Sequence, residues 1–151
     1  MRSGGGAELG RLGPSIYGDK RDVVGEVVAL VDVTFKRRGL ELIEARSRAL
    51  PRGEIHELMI TDEEAELGGR VDHVMVLGFF EVEVGGIVLV GDRVYLDGEP
   101  LGEVAGFDLT HMPNHMNIVV KVCHMERPKV GLGSRVIFRK EESTPSQTNL
   151  P

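Results

Sequence analysis

The side chains best suited to chemistry lie close together in this sequence. Three of the five histidines and the only cysteine fall between residues 111 and 124. Within this stretch, residues 110–117 read THMPNHMN and separate two apolar runs. Imidazole and amide groups hydrogen-bond polar ligands, and imidazoles also bind metal ions, so this segment is the first candidate for a functional site.

A reverse turn at Pro113-Asn114 is predicted to bring two histidines together. Proline presets φ at the first central position of a turn, and asparagine tolerates the second. The turn would place His111 and His115 at one end of the sheet. The predicted ligand-binding residues are therefore His111, Asn114, His115 and Asn117.

Metal binding is a second interpretation of the same histidines. Imidazoles suit zinc, copper or nickel, and an added carboxylate suits zinc or iron. If a metal binds, its ligands would come from His111, His115, His73 and Asp108. The sequence contains no Cys-x-x-Cys or His-Glu-x-x-His motif. The alternative that these histidines only hydrogen-bond neighbouring backbone carbonyls also stays open, and no cofactor is identified.

Other catalytic patterns are weak. Cys123 and His124 are adjacent on a predicted strand and would point to opposite faces, so we expect Cys123 to be an inert, packed side chain. The glycines around Gly131 precede a strand, whereas a phosphate-binding loop needs a helix there. No catalytic residue is predicted, and the sequence favours a non-enzymatic protein.

Length and composition predict one small β-rich domain. The chain has 151 residues, 41% hydrophobic and only 5% aromatic, without tryptophan. Its core must therefore depend on aliphatic residues, many of them valine, which favour strands.

A single cysteine excludes a disulfide framework and indicates a reducing compartment. The N-terminus lacks an apolar leader and no run is long enough to cross a membrane, so we expect a cytoplasmic location and no membrane contact.

Charge is distributed unevenly along the chain. The net charge is −6, which argues against nucleic acid as a general partner. Basic residues nevertheless concentrate between 36 and 52, whereas acidic residues dominate from 54 to 103. The basic segment 36–52 either binds an anion or an acidic partner, or forms a solvated surface, and both interpretations stay open.

The chain divides into an arm, a body and a tail. Residues 1–20 are glycine-rich and predict a mobile arm, and residues 141–151 predict a disordered tail. The body, 21–140, reads as a succession of strands separated by turn residues. Asp97-Gly98 is a signal for a two-residue hairpin turn. One short helix is predicted over 62–67, because Thr61 and Glu64 have capping-box spacing and glycines follow.

These elements predict an all-β fold, a small closed or nearly closed β-barrel with one short helix. No alternation of strands and helices indicates a doubly wound fold. Closure would remove the exposed edges of so many valine-rich strands. If the sheet is open instead, the long strand 23–35 is the expected edge, and pairing through it would make a homo-oligomer.

The order of turns and strands from Val84 to Phe138 suggests a known family. A Gly85-Gly86 turn, Gly91-Asp92, Gly102 to Gly106, the polar loop and a final apolar strand follow one another. This order resembles the last two-thirds of the glucitol/sorbitol-specific IIA component of the sugar phosphotransferase system, a small β-barrel protein. The chain is also similar to prokaryotic proteins of unknown function.

The resemblance implies a phosphohistidine carrier. In that family a histidine-bearing strand precedes the glycine turn; here that stretch is 74–78, and His73 lies beside it. The function predicted from the residues is a binding or accessory module for a small polar ligand or a protein partner. The alternative is a phosphotransferase-type carrier or a small metal-dependent enzyme that uses His111 and His115.

Overall fold

The computed structural model describes residues 17–141, which contain eleven β-strands and no helix. The predicted arm and tail lie outside these residues, except for residues 17–20 and 141. The strands are β1 (Val23–Phe35), β2 (Leu40–Glu41), β3 (Ser47–Leu50), β4 (Ile55–Thr61), β5 (Arg70–Val71), β6 (Val74–Val84), β7 (Gly86–Leu89), β8 (Arg93–Leu96), β9 (Glu99–Asp108), β10 (Asn117–Lys121) and β11 (Arg135–Arg139).

Seven strands hydrogen-bond in a closed ring, in the order β1-β11-β8-β9-β10-β4-β6 and back to β1. All neighbours are antiparallel except β10 and β4, which are parallel. Two further pairs, β2–β5 and β3–β7, lie outside the ring. The predicted all-β fold is confirmed. The hairpin turn between β8 and β9 is confirmed as well, since Asp97 and Gly98 have φ values of 52° and 83°.

The ring encloses the main core. Alternate residues of each strand point inward, and three phenylalanines with no exposed surface fill the interior: Phe80, Phe107 and Phe138. Ile118 and Val120 of β10, with Val122 just after it, point into this core. No helix of the length and apolarity needed to cross a membrane occurs in residues 17–141.

A second core lies on the outer face of the ring. Met59 of β4, Val76 of β6 and Val119 of β10 pack there with Leu40, Leu42 and Val71. These last three residues lie in the segments around β2 and β5, which cover the outer face. Because part of β4 is covered on both sides, four consecutive residues at its end, 58–61, are buried.

The predicted helix over 62–67 is wrong. The hydroxyl of Thr61 accepts a hydrogen bond from the Glu63 amide at 3.1 Å and donates to the His73 carbonyl at 2.6 Å. The carboxylate of Glu63 accepts from the amides of Asp72 and His73 at 3.2 and 2.8 Å. The Thr61 hydroxyl and the Glu63 carboxylate therefore bind the residues just before β6, and residues 62–69 form an irregular segment with a turn at 67–68.

Strand β1 closes the ring and is not the free edge expected for an open sheet. Val23 to Glu26 pair with β11, and residues 24–35 pair with β6 through three register irregularities. Beyond this pairing, the guanidinium of Arg127 donates to the carbonyls of Val31, Val76 and Leu77 at 2.8, 3.1 and 3.3 Å. This side chain satisfies backbone groups where the bulged strands separate.

Candidate functional site

A lateral row of side chains crosses four strands of the ring on its outer face. Asn117 on β10 pairs with Glu57 on β4 and with Asp108 on β9, and Glu57 pairs with Phe79 on β6. The neighbours of Glu57 and Asn117 in sequence, Leu58 and Ile118, point into the ring. The row therefore faces outward, beside the second core.

Asp108 forms the buried base of this row. Its carboxylate accepts hydrogen bonds from the amides of Thr110 and Glu41, each at 2.9 Å, and from the Asn117 side chain at 3.2 Å. Burial by itself raises the pKa of Asp108, but these hydrogen bonds together outweigh burial and hold its pKa below the ordinary value. Asp108 thus ties β9, β10 and the segment at β2 together.

Asn117 has no exposed surface, and only one of the two polar atoms of its side-chain amide is hydrogen-bonded. Its Nδ2 donates to Asp108, which fixes the orientation of the amide. Its Oδ1 is buried and accepts no hydrogen bond from any residue between 17 and 141. A buried acceptor without a donor is energetically costly, so this oxygen is a local cost at the base of the row.

His115 is clamped above the row. Its Nε2 lies 3.0 Å from Oε1 of Glu57, and its Nδ1 lies 2.8 Å from Oδ1 of Asn114. The edge-on ring of Phe79 lies 5.0 Å away between centroids, at 83°. Only 14% of the His115 side chain and 12% of the Glu57 side chain are exposed. With both nitrogens facing oxygen acceptors, a protonated ring donates to Asn114 and Glu57 together.

His111 lies beside His115 and faces solvent. The two ring centroids are 5.0 Å apart with an interplanar angle of 30°. Arg38 donates from Nη2 to Nε2 of His111 at 3.2 Å. This contact makes Nε2 an acceptor, and a neutral His111 ring then carries its proton on Nδ1. The loop therefore brings together His111, Asn114 and His115, with Arg38 beside them.

The turn in the loop differs in register from the prediction. The Asn114 amide donates to the His111 carbonyl at 2.9 Å, and the Met112–Pro113 bond is cis. Pro113 is therefore the third residue of the turn, as in turns that contain a cis proline, and not the second. The predicted approach of the two histidines is nevertheless observed.

The four residues considered for a metal do not form one site. His73 lies on the loop before β6, where its Nδ1 is 2.9 Å from Asp62, and both Asp108 oxygens accept hydrogen bonds from other groups. In residues 17–141, no group of three or more histidine, cysteine or acidic side chains is arranged to hold a metal ion.

Cys123 also differs from its predicted environment. β10 ends at Lys121, and the thiol of Cys123 is exposed, so this residue does not pack inside a strand. His56, in contrast, is buried: its Nδ1 accepts from the Met116 amide at 3.0 Å and its Nε2 lies 2.8 Å from Glu54. His56 thus anchors the end of the histidine loop to β4.

Sequence reasoning missed three members of this site: Arg38, Glu57 and Phe79. Glu57 lies on β4, and the parallel pairing of this strand with the distant β10 places it beside His115. Arg38 belongs to the basic segment already noted in the sequence. The spacing of the charged residues did not indicate which cation of this segment contacts the histidine loop.

Comparison with known families places the whole described fold in one group. The chain belongs to DUF6917, a family of unknown function. The family model matches residues 17–138, so the histidine loop and all of the ring except Arg139 lie inside the matched region. No curated protein and no solved structure matches the chain. The resemblance to the glucitol/sorbitol-specific IIA component is not shown by these comparisons.

Proposed function

We propose that this DUF6917 chain is a non-enzymatic binding module that holds an anionic group of a small polar ligand or protein partner. The proposed site, here called the histidine rim, consists of Arg38, His111, Asn114 and His115. The observation that carries the proposal is the contact of Arg38 with His111 directly beside the clamped ring of His115.

Uncompensated positive charge supports an anionic ligand. Lys36, Arg37 and Arg38 follow one another, and none of them forms an ion pair with a carboxylate in residues 17–141. The Arg38 guanidinium also lies 5.6 Å from the centroid of Phe35, which restricts its position. A planar guanidinium held in this way suits a carboxylate or phosphate group, to which it donates two parallel hydrogen bonds.

The scaffold under the rim favours binding over catalysis. Both nitrogens of His115 already face oxygen atoms of the protein, so this ring is held in place and has no free nitrogen for proton transfer. Beneath it, Asp108 and Asn117 join two strands of the ring. Such support keeps a site preorganised, which lowers the entropy lost when a ligand binds.

Titration with inorganic phosphate, followed by the imidazole proton resonances in NMR spectra, tests the proposal. We expect saturable shifts of the His111 and His115 signals, and at least a tenfold loss of affinity in Arg38→Gln. The matched control is Arg37→Gln, which removes the same charge one residue away. Equal losses in the two variants, or shifts that do not saturate, would contradict a built site at the rim.

A phosphoryl carrier is the second candidate function. In the His111 tautomer that Arg38 favours, the lone pair is on Nε2 and the proton is on Nδ1. Nε2 would therefore attack the phosphoryl group of the carrier, with Arg38 passing from this nitrogen to the phosphoryl oxygens and the carrier's own histidine leaving. Incubation with a phosphorylated carrier protein, followed by mass spectrometry under alkaline conditions, tests this. Phosphate on His111 that is absent from His111→Ala but present in His115→Ala would favour the carrier over the binding module.

Two further expectations belong with this proposal, and one alternative competes with it. A cytoplasmic location follows from the single cysteine, and a homo-oligomer is a separate expectation that light scattering over a dilution series tests. Metal analysis of untagged protein tests the metal-dependent alternative. Stoichiometric zinc, copper, nickel or iron that is lost in His111→Ala would replace the binding-module proposal.

A further inference from the structure

A cleft of about 790 Å³ opens at one end of the ring, away from the histidine rim. One wall is the β8–β9 hairpin and the other is the chain that follows β10. A second cavity of about 540 Å³ continues from it past Pro100, Leu101 and Pro128, which line both. These volumes are those of small-molecule sites, which often occupy the mouths of β-barrels.

The cleft exists because β9 is longer than its pairing with β10. The two strands pair as far as Glu103 and Lys121, where the carbonyl of Lys121 lies against Gly102. Val122 then donates to the carbonyl of Thr61 on β4, so the chain turns away from β9. The first residues of β9, Glu99 to Gly102, retain only β8 as a partner and face the opening.

The wall opposite the hairpin is fixed in place. Arg127 bonds three backbone carbonyls of β1 and β6, and Gly133 donates to the carbonyl of Val27 at 2.8 Å. At the far end, the Ser134 hydroxyl donates to Asp97 at 2.8 Å and accepts from the Gly131 amide at 2.9 Å. The cleft is therefore a formed feature of the fold, and no loop needs to move to create it.

Charges of both signs lie over an apolar floor. Leu101 lines both cavities and Val130 lines the second, and both side chains pack against the main core. Strand register places Arg93, Glu103 and Lys121 in one lateral row, with alternating charge.

The ion pairs of the two cations in this row are exposed and therefore weak. Arg93 is 3.4 Å from Glu141, and both side chains are about half exposed. Lys121 is 3.1 Å from Glu64, whose side chain is 94% exposed. Glu103 and Glu126 have no ionic partner in residues 17–141. Exposed pairs of this kind contribute little and can be exchanged for a ligand.

We infer that this cleft is a second binding site, for a short zwitterionic peptide. The peptide ammonium would bind Glu103 or Glu126, its carboxylate would bind Arg93 or Lys121, and an aliphatic side chain would contact Leu101. A ligand of one charge only would meet like charges in the row, whereas a zwitterion finds a partner for each of its ends. Backbone groups of the peptide would face the edge of Glu99 to Gly102 that β10 leaves without a strand partner, a common mode of peptide recognition.

Cys123 supplies a reporter for this site, because it lines the cleft and its thiol is exposed. As the only cysteine of the chain, it gives one labelling rate. The probe is the tripeptide Ala-Leu-Ala with free termini, and the matched control ligand is the same peptide acetylated and amidated. We expect the free tripeptide to slow reaction of the thiol with a chromogenic disulfide at least threefold, saturably, and the blocked peptide to have little effect.

Variants of the charged residues distinguish specific recognition of the peptide from a non-specific slowing of the thiol reaction. Glu103→Gln and Arg93→Gln should each raise the tripeptide concentration needed for half-maximal protection of Cys123 at least fivefold. The exposed controls Glu66→Gln and Arg37→Gln should leave this concentration as it is in the parent protein. Circular dichroism melting curves establish that each variant is folded. No protection at 10 mM tripeptide, equal protection by the blocked peptide, or equal losses in the control variants would overturn the inference. Because Arg38 and His111 lie outside the cleft, failure here leaves the proposed function of the histidine rim standing.

Discussion

Arg38 donates a hydrogen bond to His111 at 3.2 Å although 73 residues separate them in the chain. The contact joins the basic segment 36–52 to the histidine loop, two features that are independent in the sequence. It forms because the segment around β2 crosses the outer face of the ring, where the Glu41 amide donates to Asp108 at 2.9 Å. One cation of the basic segment is thereby placed beside both histidines of the rim.

Replacement of His115 by alanine should destabilise the fold, whereas replacement of His111 should not. His115→Ala removes the partner of a largely buried Glu57 carboxylate and a ring contact with Phe79. We expect a loss of roughly 1–3 kcal/mol in the free energy of unfolding, measured by urea denaturation. His111→Ala, at an exposed position, should change it by less than about 0.5 kcal/mol. Equal effects of the two substitutions would contradict the clamped geometry of His115.

Acid should weaken the fold through Asp108. Hydrogen bonds hold the pKa of this carboxyl below its ordinary value despite burial, so its folded-state pKa is lower than its unfolded-state pKa. The stabilisation is therefore complete above the unfolded value, near pH 4, and is lost as the pH falls through the folded value. The Asp108→Asn variant should have a smaller free energy of unfolding than the parent at pH 7. On acidification, its free energy of unfolding should fall by less than that of the parent.

Urea denaturation at pH 7 and in steps down to pH 2 measures the Asp108 contribution. Asp19→Asn serves as the control, because Asp19 is exposed and forms no hydrogen bond with a described residue. A parent protein and an Asp108→Asn variant with parallel pH profiles would contradict the role assigned to these hydrogen bonds.

The Lys20–Asp92 ion pair should hold the residues before β1 strongly against the ring. The two atoms lie 2.8 Å apart, with side-chain exposures of 9% and 1%, and Asp92 also accepts from the Leu89 amide at 2.9 Å. Lys20→Ala leaves a buried carboxylate without its cation, which typically costs about 3–5 kcal/mol. The exposed Lys36→Ala is the control, and thermal melts compare the two. A melting point for Lys20→Ala within one or two degrees of the parent would refute the tether.

Gly102 should tolerate no side chain. A Cβ at this position would lie 2.0 Å from the Lys121 carbonyl oxygen, a backbone atom that cannot rotate away. Gly102→Ala should therefore cost at least roughly 1–3 kcal/mol, as overpacking of a rigid contact does. At Gly131 the same methyl would meet nothing within 4 Å, so Gly131→Ala is the matched control. If the two variants unfold at the same urea concentration, β9 and β10 do not approach as closely as described.

Local patterns in the sequence were sufficient for some features. Valine-rich runs separated by turn residues predicted the all-β fold, and Asp97-Gly98 predicted the hairpin turn, because both signals depend on neighbours in the chain. The helix over 62–67 failed for a reason that local rules do not include. Thr61 and Glu63 bind the residues before β6, so a tertiary contact replaced the expected cap.

By itself, then, the sequence determined an all-β chain with His111 and His115 on one loop, since side-chain periodicity and turn chemistry act over a few residues. Only the tertiary structure decided what surrounds those histidines. Glu57 reaches His115 through the parallel pairing of β10 with β4, and Arg38 reaches His111 because its segment covers the second core. Such pairings depend on which distant apolar surfaces bury one another when the ring closes, and no spacing along the chain encodes that choice.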